Sequence, residues 1–347
     1  MHLILPWAWP FDEAPARLPA LPATPHLNRL LADWTAGPRL SAPGEDPLRS
    51  LNPPHEHALA QAATRKACTS APPCPDGRVP MAAYWAAQDG LAVTPANAAH
   101  WALATPCHWQ VGQRSTVLAL PAAPAWDETV SRRLFEALAP LFADEASDSP
   151  LELLWGQAGR WYVRHPLLAE LPLAALDRVL GQDVQAWLPQ DADLGDDARA
   201  LLRRLRRLQA EAQMLLYTHP AHDALERAGS PPVNTLWFSG SGDGTLWTQG
   251  TGAPADPPRL DDVLARAALA GDIAAWAQAW SAVEARVASG GLTALTLCSQ
   301  RAWRTWRPTP PAAAWNVLAR WQQQRRIARS SQPGALAAVL TRLDDVA

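Results

Sequence analysis

Short apolar runs alternate with amphipathic helical segments along nearly all 347 residues, and this alternation limits the fold more than any other feature. The runs at 3–9, 233–238 and 292–297 are predicted strands because they are short, apolar and bounded by turn residues. From Leu201 to Leu215 the apolar positions step by 4, 3, 4 and 3, which is one core-facing helical seam. The alternation predicts an α/β fold, a layered sheet flanked by helices.

Chain length and linker composition predict one domain. A chain of 347 residues suffices for one large or two ordinary domains and for a sizeable core. Neither an internal repeat nor a long dividing linker is apparent, so we expect a single α/β domain over 1–347. Residues 36–80 are rich in Pro, Ser and Gly, which predicts a mobile excursion from that domain.

Cysteine use and the first residues predict a cytoplasmic protein. Cys68, Cys74, Cys107 and Cys298 form no CxxC pair, so free thiols in a reducing compartment are expected. The opening stretch MHLILPWAWPFDEA has neither a basic n-region nor a small-residue cleavage site. Since no run approaches 18 apolar residues without a charge or a proline, no membrane association is expected.

Eighteen tryptophans make the chain tryptophan-rich. Indole rings fill cores, stack on ligands or cover partner surfaces, and core filling is the expected use of most of them.

Charge is nearly balanced overall, at a formal −3, but not along the chain. From Arg286 to Arg342 there are nine arginines and no acidic residue. RAWRTWRP interleaves Arg and Trp, and ARWQQQRRIAR is a predicted basic amphipathic helix. This stretch is therefore a candidate face for nucleic acid, an acidic protein or the phosphate of a ligand. The alternative is a solvated face paired with acids elsewhere. The candidate contact residues are Arg304, Arg307, Arg320, Trp321, Arg325 and Arg326.

Polar side chains also concentrate in EAQMLLYTHPAHDALERAGSPPVNTLWFSGSG at 211–242. A histidine at a helix end can cap free carbonyls, and a buried asparagine can tie backbone segments together or reach a ligand. The Ser-Gly run lacks the Gly-Lys-Ser/Thr of a P-loop, which favours a turn over a phosphate cradle. The ligand-binding candidates are His108, Arg178, His219, Asn234, Trp237, Ser239 and Ser241.

Two other constellations carry weaker signals. His55-Glu56-His57 could clip a metal, but residues at i and i+2 face apart on a helix. Cys107-His108 could be a thiol and its base, but adjacent side chains rarely converge. A structural role is the preferred interpretation of both.

Several blocks resemble a bacterial family of Rpf-type regulatory proteins E, named for the regulation of pathogenicity factors. They are PPHEHALA at 53–60, TPCHW at 105–109, LDRVLGQDVQAWLP at 176–189, LQAEAQMLLYTHP at 208–220, PPVNTLWFSGSG at 231–242 and LTLC at 295–298. A remoter resemblance, to archaeal-type cofactor-independent phosphoglycerate mutase, is carried by HPAH at 219–222 and PVNTLWFSGSG at 232–242. It implies the alkaline-phosphatase-like fold. The family's Asn is His222 here and its Arg is Leu225, which puts any anion site built on that Arg in doubt.

The second resemblance implies phosphoryl transfer with two divalent cations, held by an Asp closing the first strand and by Asp and His groups in the last third. This chain departs from that pattern, because LILPWAWP contains no acid and the last histidine is His222. We therefore expect a degenerate member of the fold without metal or cofactor, a pseudoenzyme with a regulatory or scaffolding role through an unknown protein or small-molecule partner.

Two alternatives remain open. One is a metal-free enzyme on phosphorylated metabolites, phosphoglycerate mutase-like or phosphatase-like. The other is an adaptor that binds nucleic acid or an acidic protein through the basic C-terminal face.

Overall fold

The computed structural model describes residues 1–11, 19–64, 74–121, 125–143, 149–248, 258–309 and 335–344. Its strands are β1 (His2–Trp9), β2 (Thr35–Ser41), β3 (Trp101–Val111), β4 (Thr116–Ala119), β5 (Glu152–Gln157), β6 (Arg160–Arg164), β7 (Thr235–Ser239), β8 (Arg259–Leu260), β9 (Ala294–Ser299) and β10 (Ala302–Arg307). Its helices are α1 (Pro25–Asp33), α2 (Pro54–Ala63), α3 (Met81–Gln88), α4 (Glu128–Ala143), α5 (Leu176–Val179), α6 (Asp196–Leu216), α7 (His222–Arg227), α8 (Thr245–Thr248), α9 (Val263–Leu269), α10 (Ile273–Ala288) and α11 (Ala335–Asp344).

Contacts divide the chain into two compact units. Unit 1 comprises Met1–Pro73 and Pro254–Ala347, and unit 2 comprises Cys74–Ala253. Each contains a five-stranded sheet with helices packed against it, so the predicted layered α/β class is confirmed. That the whole chain behaves as one domain stays a prediction.

Unit 1 is built around β1, which lies inside a sheet of order β2-β10-β9-β1-β8 and pairs in parallel with both of its neighbours. Leu3 and Leu5 of β1 and Leu297 of β9 point to one face, because side chains alternate along a strand. On that face they pack with apolar residues of α1, α9, α10 and α11. Helix α2 packs against the sheet as well, and its His57 ring stacks on Trp303 of β10.

The described part of 36–80, the stretch predicted to be a mobile excursion, holds regular structure. Strand β2 forms an edge of the unit 1 sheet by pairing with β10, and α2 is buried from Pro54 to Ala60. The prolines suit these positions: Pro54 lies in the first turn of α2, where its missing N–H costs nothing, and Pro38 lies on an edge strand. Residues 65–73 lie outside the described residues.

Unit 2 has a wholly antiparallel sheet of order β4-β3-β6-β5, with β7 also paired to β3. The sequence does not predict β3, the strand shared by three neighbours, because Pro106 interrupts its apolar pattern. Helices α4 and α6 cover one face of the sheet, where Leu134, Leu205 and Phe238 meet in the core. The predicted seam of α6 is confirmed at its buried positions. None of the helices in the described residues is long and apolar enough to span a bilayer.

Candidate functional site

Asn234 joins the start of β7 to β3 through both ends of its side-chain amide. Its Oδ1 accepts a hydrogen bond from the backbone N–H of Trp109 at 2.7 Å, and its Nδ2 donates to the Trp109 carbonyl at 3.1 Å. Its own backbone N–H donates to the Cys107 carbonyl at 3.1 Å. The amide therefore extends the β3–β7 ladder by one residue before Thr235, the first residue of β7. This geometry supports the structural interpretation of Asn234.

Trp237, Ser239 and Ser241 are buried in and just after β7. The indole N–H of Trp237 donates to the Ala174 carbonyl at 2.9 Å, and the Ser241 hydroxyl donates to the Leu171 carbonyl at 2.7 Å. Trp237 and Ser241, both predicted ligand contacts, therefore hold one segment, 171–174, against β7 and the residues that follow it. Ser239 lies in the ladder opposite β3.

Arg178 lies on α5, immediately after the segment that Trp237 holds, and is 7% exposed. A buried guanidinium requires hydrogen-bond acceptors around it, and Arg178 does interact with neighbouring groups.

The glycines after β7 allow two backbone segments to meet at close range. A Cβ on Gly242, whose φ is 146°, would overlap the Arg78 carbonyl oxygen, and one on Gly244 would lie 2.5 Å from the Ala98 carbonyl oxygen. The carbonyl of Gly240 accepts from a backbone N–H of α3 at 2.9 Å. The described part of the Ser-Gly run is therefore a close-packed crossing of backbone segments.

Three histidines share one corner of unit 2. Nδ1 of His108 lies 2.8 Å from the Pro232 carbonyl and so donates to it. The His222 ring hydrogen-bonds the backbone of Val233, the residue after Pro232. The ring centroids of His222 and His219 lie 6.3 Å apart. Nδ1 of His219 accepts the backbone N–H of Ala221 at 3.2 Å, so the ring stabilises the turn after α6 as an acceptor, whereas the sequence predicts that it caps free carbonyls.

Burial lowers the pKa of two of these rings. It lowers the pKa of His219 below the ordinary 6.5, and the nearby Arg133 cation lowers it further. Burial also lowers the pKa of His222, with a smaller contribution from the imidazoles of His219 and His108, while its bond to Val233 and the nearby Glu226 carboxylate oppose the shift. The rings of His219 and His222 are therefore neutral near pH 7 and offer no fixed positive charge to an anion.

Cys107 and His108 do not form a thiol–base pair. Their side chains leave β3 on opposite faces, the Cys107 thiol towards the Thr235 carbonyl at 3.8 Å and the imidazole towards Pro232. Burial raises the pKa of the Cys107 thiol far above its ordinary value, which keeps it from acting as a nucleophile.

Aromatic rings fill the carboxyl end of β1, where the mutase resemblance implies a metal-binding Asp. Trp9 packs edge-on against Phe11 at 5.0 Å, Phe11 against Trp276 at 5.7 Å, and Trp276 against Trp280 at 6.2 Å between ring centroids. Trp7 has a φ of 56°, and its carbonyl accepts the Trp276 indole N–H at 2.9 Å. We call Trp9, Phe11, Trp276 and Trp280 the aromatic cluster.

His55, Glu56 and His57 occupy the first turn of α2, and all three are buried. Glu56 accepts from the Asn52 side-chain amide at 2.7 Å, and His57 stacks on Trp303 with centroids 6.1 Å apart. Across the described residues, no group of three or more His, Cys, Asp or Glu side chains could hold a metal ion.

The C-terminal candidates that fall in described residues lie at the β2–β10 edge. Arg304 donates from Nε to the Gly37 carbonyl at 3.0 Å, and Arg307 is exposed. Directly opposite Arg304 lies Arg39, which sequence reasoning missed because strand register cannot be read from one chain segment. The remaining candidates lie outside the described residues: Arg320, Trp321, Arg325 and Arg326.

Comparison with known protein families gives no match, and no curated protein matches the chain either. Two similar solved structures cover nearly all of it. One is the PH0037 protein from Pyrococcus horikoshii, at 10% identity and a TM-score of 0.45, covering 99% of this chain and 96% of that one. The other is a cofactor-independent phosphoglycerate mutase from Thermoplasma acidophilum, at 11% identity and a TM-score of 0.35, covering 99% of both. Nothing in these comparisons supports the Rpf family. Scores this low carry no argument about activity.

Proposed function

We propose that this protein is a non-catalytic relative of the phosphoglycerate mutases, with a regulatory or scaffolding role exerted through a protein or small-molecule partner. The observation that carries the proposal is the aromatic cluster. Ligand-binding side chains of open α/β sheets project from the carboxyl ends of the parallel strands, and two-metal phosphoryl transfer needs carboxylates among them. Here Trp9 and Phe11 stand at that end of β1, and neither side chain offers an oxygen ligand to a hard cation.

The hydrogen bonding around β7 supports the same conclusion. Asn234, Trp237 and Ser241 are the residues most suggestive of a site in the sequence, yet each directs its polar group at backbone atoms of the fold. A substrate that recruited them would have to break these bonds, at a net cost of about 1 kcal/mol for each neutral hydrogen bond.

The proposal is tested by elemental analysis of the dialysed protein, followed by mutase and phosphatase assays with added Mg²⁺, Mn²⁺ or Zn²⁺. A metal-dependent phosphoglycerate mutase, handled identically, serves as the positive control. We expect no stoichiometric metal and no activity that a chelator removes. Near-stoichiometric metal together with chelator-sensitive turnover would overturn the proposal.

A further inference from the structure

We propose that the outer face of α6 is a self-association surface, against which a second copy of this chain packs its own α6 in antiparallel orientation. The surface consists of Arg207, Ala210, Met214 and Tyr217, which we call the outer stripe. This inference goes beyond the proposed function and does not depend on it. The two fail separately, because association is measured independently of metal content and turnover.

The outer stripe lies on the side of α6 that faces away from the core of unit 2. Its residues step by 3, 4 and 3, so they share one face of the helix. Each follows a residue of the buried seam by two positions, as Ala210 follows Leu208, which is a rotation of about 200° around the helix. All four residues are exposed. Tyr217, the C-cap residue, keeps helical backbone angles, so the stripe continues to the end of the helix.

Two large apolar side chains make this stripe unusual for a helix surface. Met214 is 79% exposed and Tyr217 is 83% exposed, and they lie one helical turn apart. The other large hydrophobic side chains that are exposed in the described residues, Val111 and Leu120, lie on or beside strands. A surface helix normally presents charged and polar residues on the side away from the core. Arginine, methionine and tyrosine are enriched where proteins bind one another, and all three occur on the stripe.

The order of residues makes the outer stripe complementary to itself. When two copies of α6 pack antiparallel about a two-fold axis level with Ala212, Arg207 lies opposite Tyr217 of the partner subunit. Ala210 then lies opposite Met214 of the partner subunit, and the axis repeats both contacts, which gives four layers. The mean spacing of about 3.5 residues keeps such a stripe facing a second helix.

Each layer joins side chains that suit one another. The small side chain of Ala210 leaves room for the long one of Met214, as facing positions of packed helices require. The Arg207 guanidinium can stack on the Tyr217 ring as a cation–π contact. Nε of Arg207 lies 3.6 Å from Oε1 of Glu211, and a guanidinium held at one edge still presents its flat face to an aromatic ring.

Charge disfavours the parallel arrangement of the two helices. Arg207 would then lie opposite Arg207 of the partner subunit, and like charges in contact oppose association. An antiparallel pair shifted by one heptad would set Arg207 opposite Ala210 of the partner subunit, so that the cation would meet no aromatic ring. The pair centred at Ala212 is therefore the arrangement that the stripe fits.

Sedimentation equilibrium of the full-length protein tests for association between about 5 and 300 µM, the range expected for a small interface. We expect the average mass to rise with concentration from 37.5 kDa towards twice that value. Met214→Glu should weaken association about a hundredfold or more, because it buries two unpaired carboxylates. The matched control is Val111→Glu on β3, where the exposure is also 79%, and it should leave association unchanged.

An exchange of charges tests the antiparallel register. Arg207→Glu and Tyr217→Lys should each weaken self-association, because each removes both cation–π contacts. In a mixture of the two variants the new carboxylate lies opposite the new ammonium group, and one native Arg207–Tyr217 contact remains. The mixture should therefore associate more tightly than either variant alone. Arg203→Glu, which makes the same charge change one turn outside the paired stretch, is the control and should leave association unchanged.

Circular dichroism checks that each variant folds, and Met214→Ser replaces Met214→Glu if the latter does not. The inference is overturned if the wild type stays at 37.5 kDa throughout, as it would if the stripe served a different partner. It is also overturned if the Met214 and Val111 variants weaken association equally, or if the mixture associates no more tightly than its components.

Discussion

The β7 region of unit 2 and the β2–β10 edge of unit 1 both hold several polar side chains, but use them in opposite ways. Around β7, Asn234 and Trp237 direct their polar atoms at backbone groups and so bind the fold to itself. At the edge, Arg304 is anchored through one nitrogen and its remaining donors have no partner among the described residues. Polar residues that cluster in the sequence can therefore all be used by the fold, whereas Arg304 keeps donors that the described residues do not use.

The comparison is tested most severely at the glycines after β7. Gly242→Ala should destabilise the protein by about 3–5 kcal/mol, because it combines an unfavourable φ with overlap on the Arg78 backbone. Urea unfolding measures the loss. The control is Gly195→Ala, at a φ of −63° with nothing within 4 Å of the added methyl, and its expected effect is within about 0.5 kcal/mol. Equal stabilities of the two variants would show that the crossing is loose enough to admit a ligand.

Asn234→Ala should cost about 1–3 kcal/mol, because the Trp109 N–H and carbonyl would lose their partners. The melting temperature and the amide exchange rate of Trp109 measure the effect. The control for the loss of a side-chain amide is Gln110→Ala, because Gln110 is exposed and lies on β3 next to Trp109. An unchanged melting temperature for Asn234→Ala would show that the amide does not stabilise the fold and would favour a role in ligand contact.

The histidine corner should make stability depend on pH. The pKa values of His219 and His222 are lowered in the folded state, so the unfolded chain takes up protons first as the pH falls. The contribution of these two histidines to stability is therefore fully present above pH 6.5, the ordinary histidine pKa. It is lost as the pH falls from there towards their lowered pKa values in the folded state. Unfolding between pH 7.5 and 5 should show a shallower decline for His222→Gln than for His26→Gln, the control for an imidazole in unit 1. Identical profiles would mean that this corner is open to water.

The smallest effect on stability is expected for the basic residues outside the described part of the chain. Reversing Arg325 and Arg326 to Glu should leave the melting temperature nearly unchanged while abolishing partner capture from native cell extract. Arg114→Glu with Arg203→Glu, both exposed in unit 2, makes the same change in net charge. If the Arg325 and Arg326 variant unfolds, or captures partners as before, these arginines are internal structure.

Periodicity in the sequence predicts most of the described helices, because the apolar residues on the buried face of an amphipathic helix recur with the helical period. Helix α6 is the clearest case, because the predicted seam from Leu201 to Ala212 is buried. Strands β3 and β10 are not predicted. Pro106 interrupts the apolar pattern of β3, and the alternating Arg and Trp residues of β10 are typical of a charged surface.

The site was harder to predict than the fold. Residue type and neighbours make Asn234 and Ser241 candidates, but whether a polar atom faces a ligand or a carbonyl depends on tertiary contacts. The position of Arg304 depends on a pairing with residues 267 positions away and on a local shift of register.

The pairing of β1 also governs the order in which the chain can assemble during synthesis. His2 bonds Thr296, 294 positions away, and the neighbours of β1 in the sheet are β8 and β9. An apolar strand therefore leaves the ribosome early and stays unpaired until those late strands follow it, while Cys74–Ala253 can already form its own core. Contacts this distant in sequence slow folding and expose a strand edge to wrong partners. Until β8 and β9 have been synthesised, any chain with an exposed strand edge competes for β1.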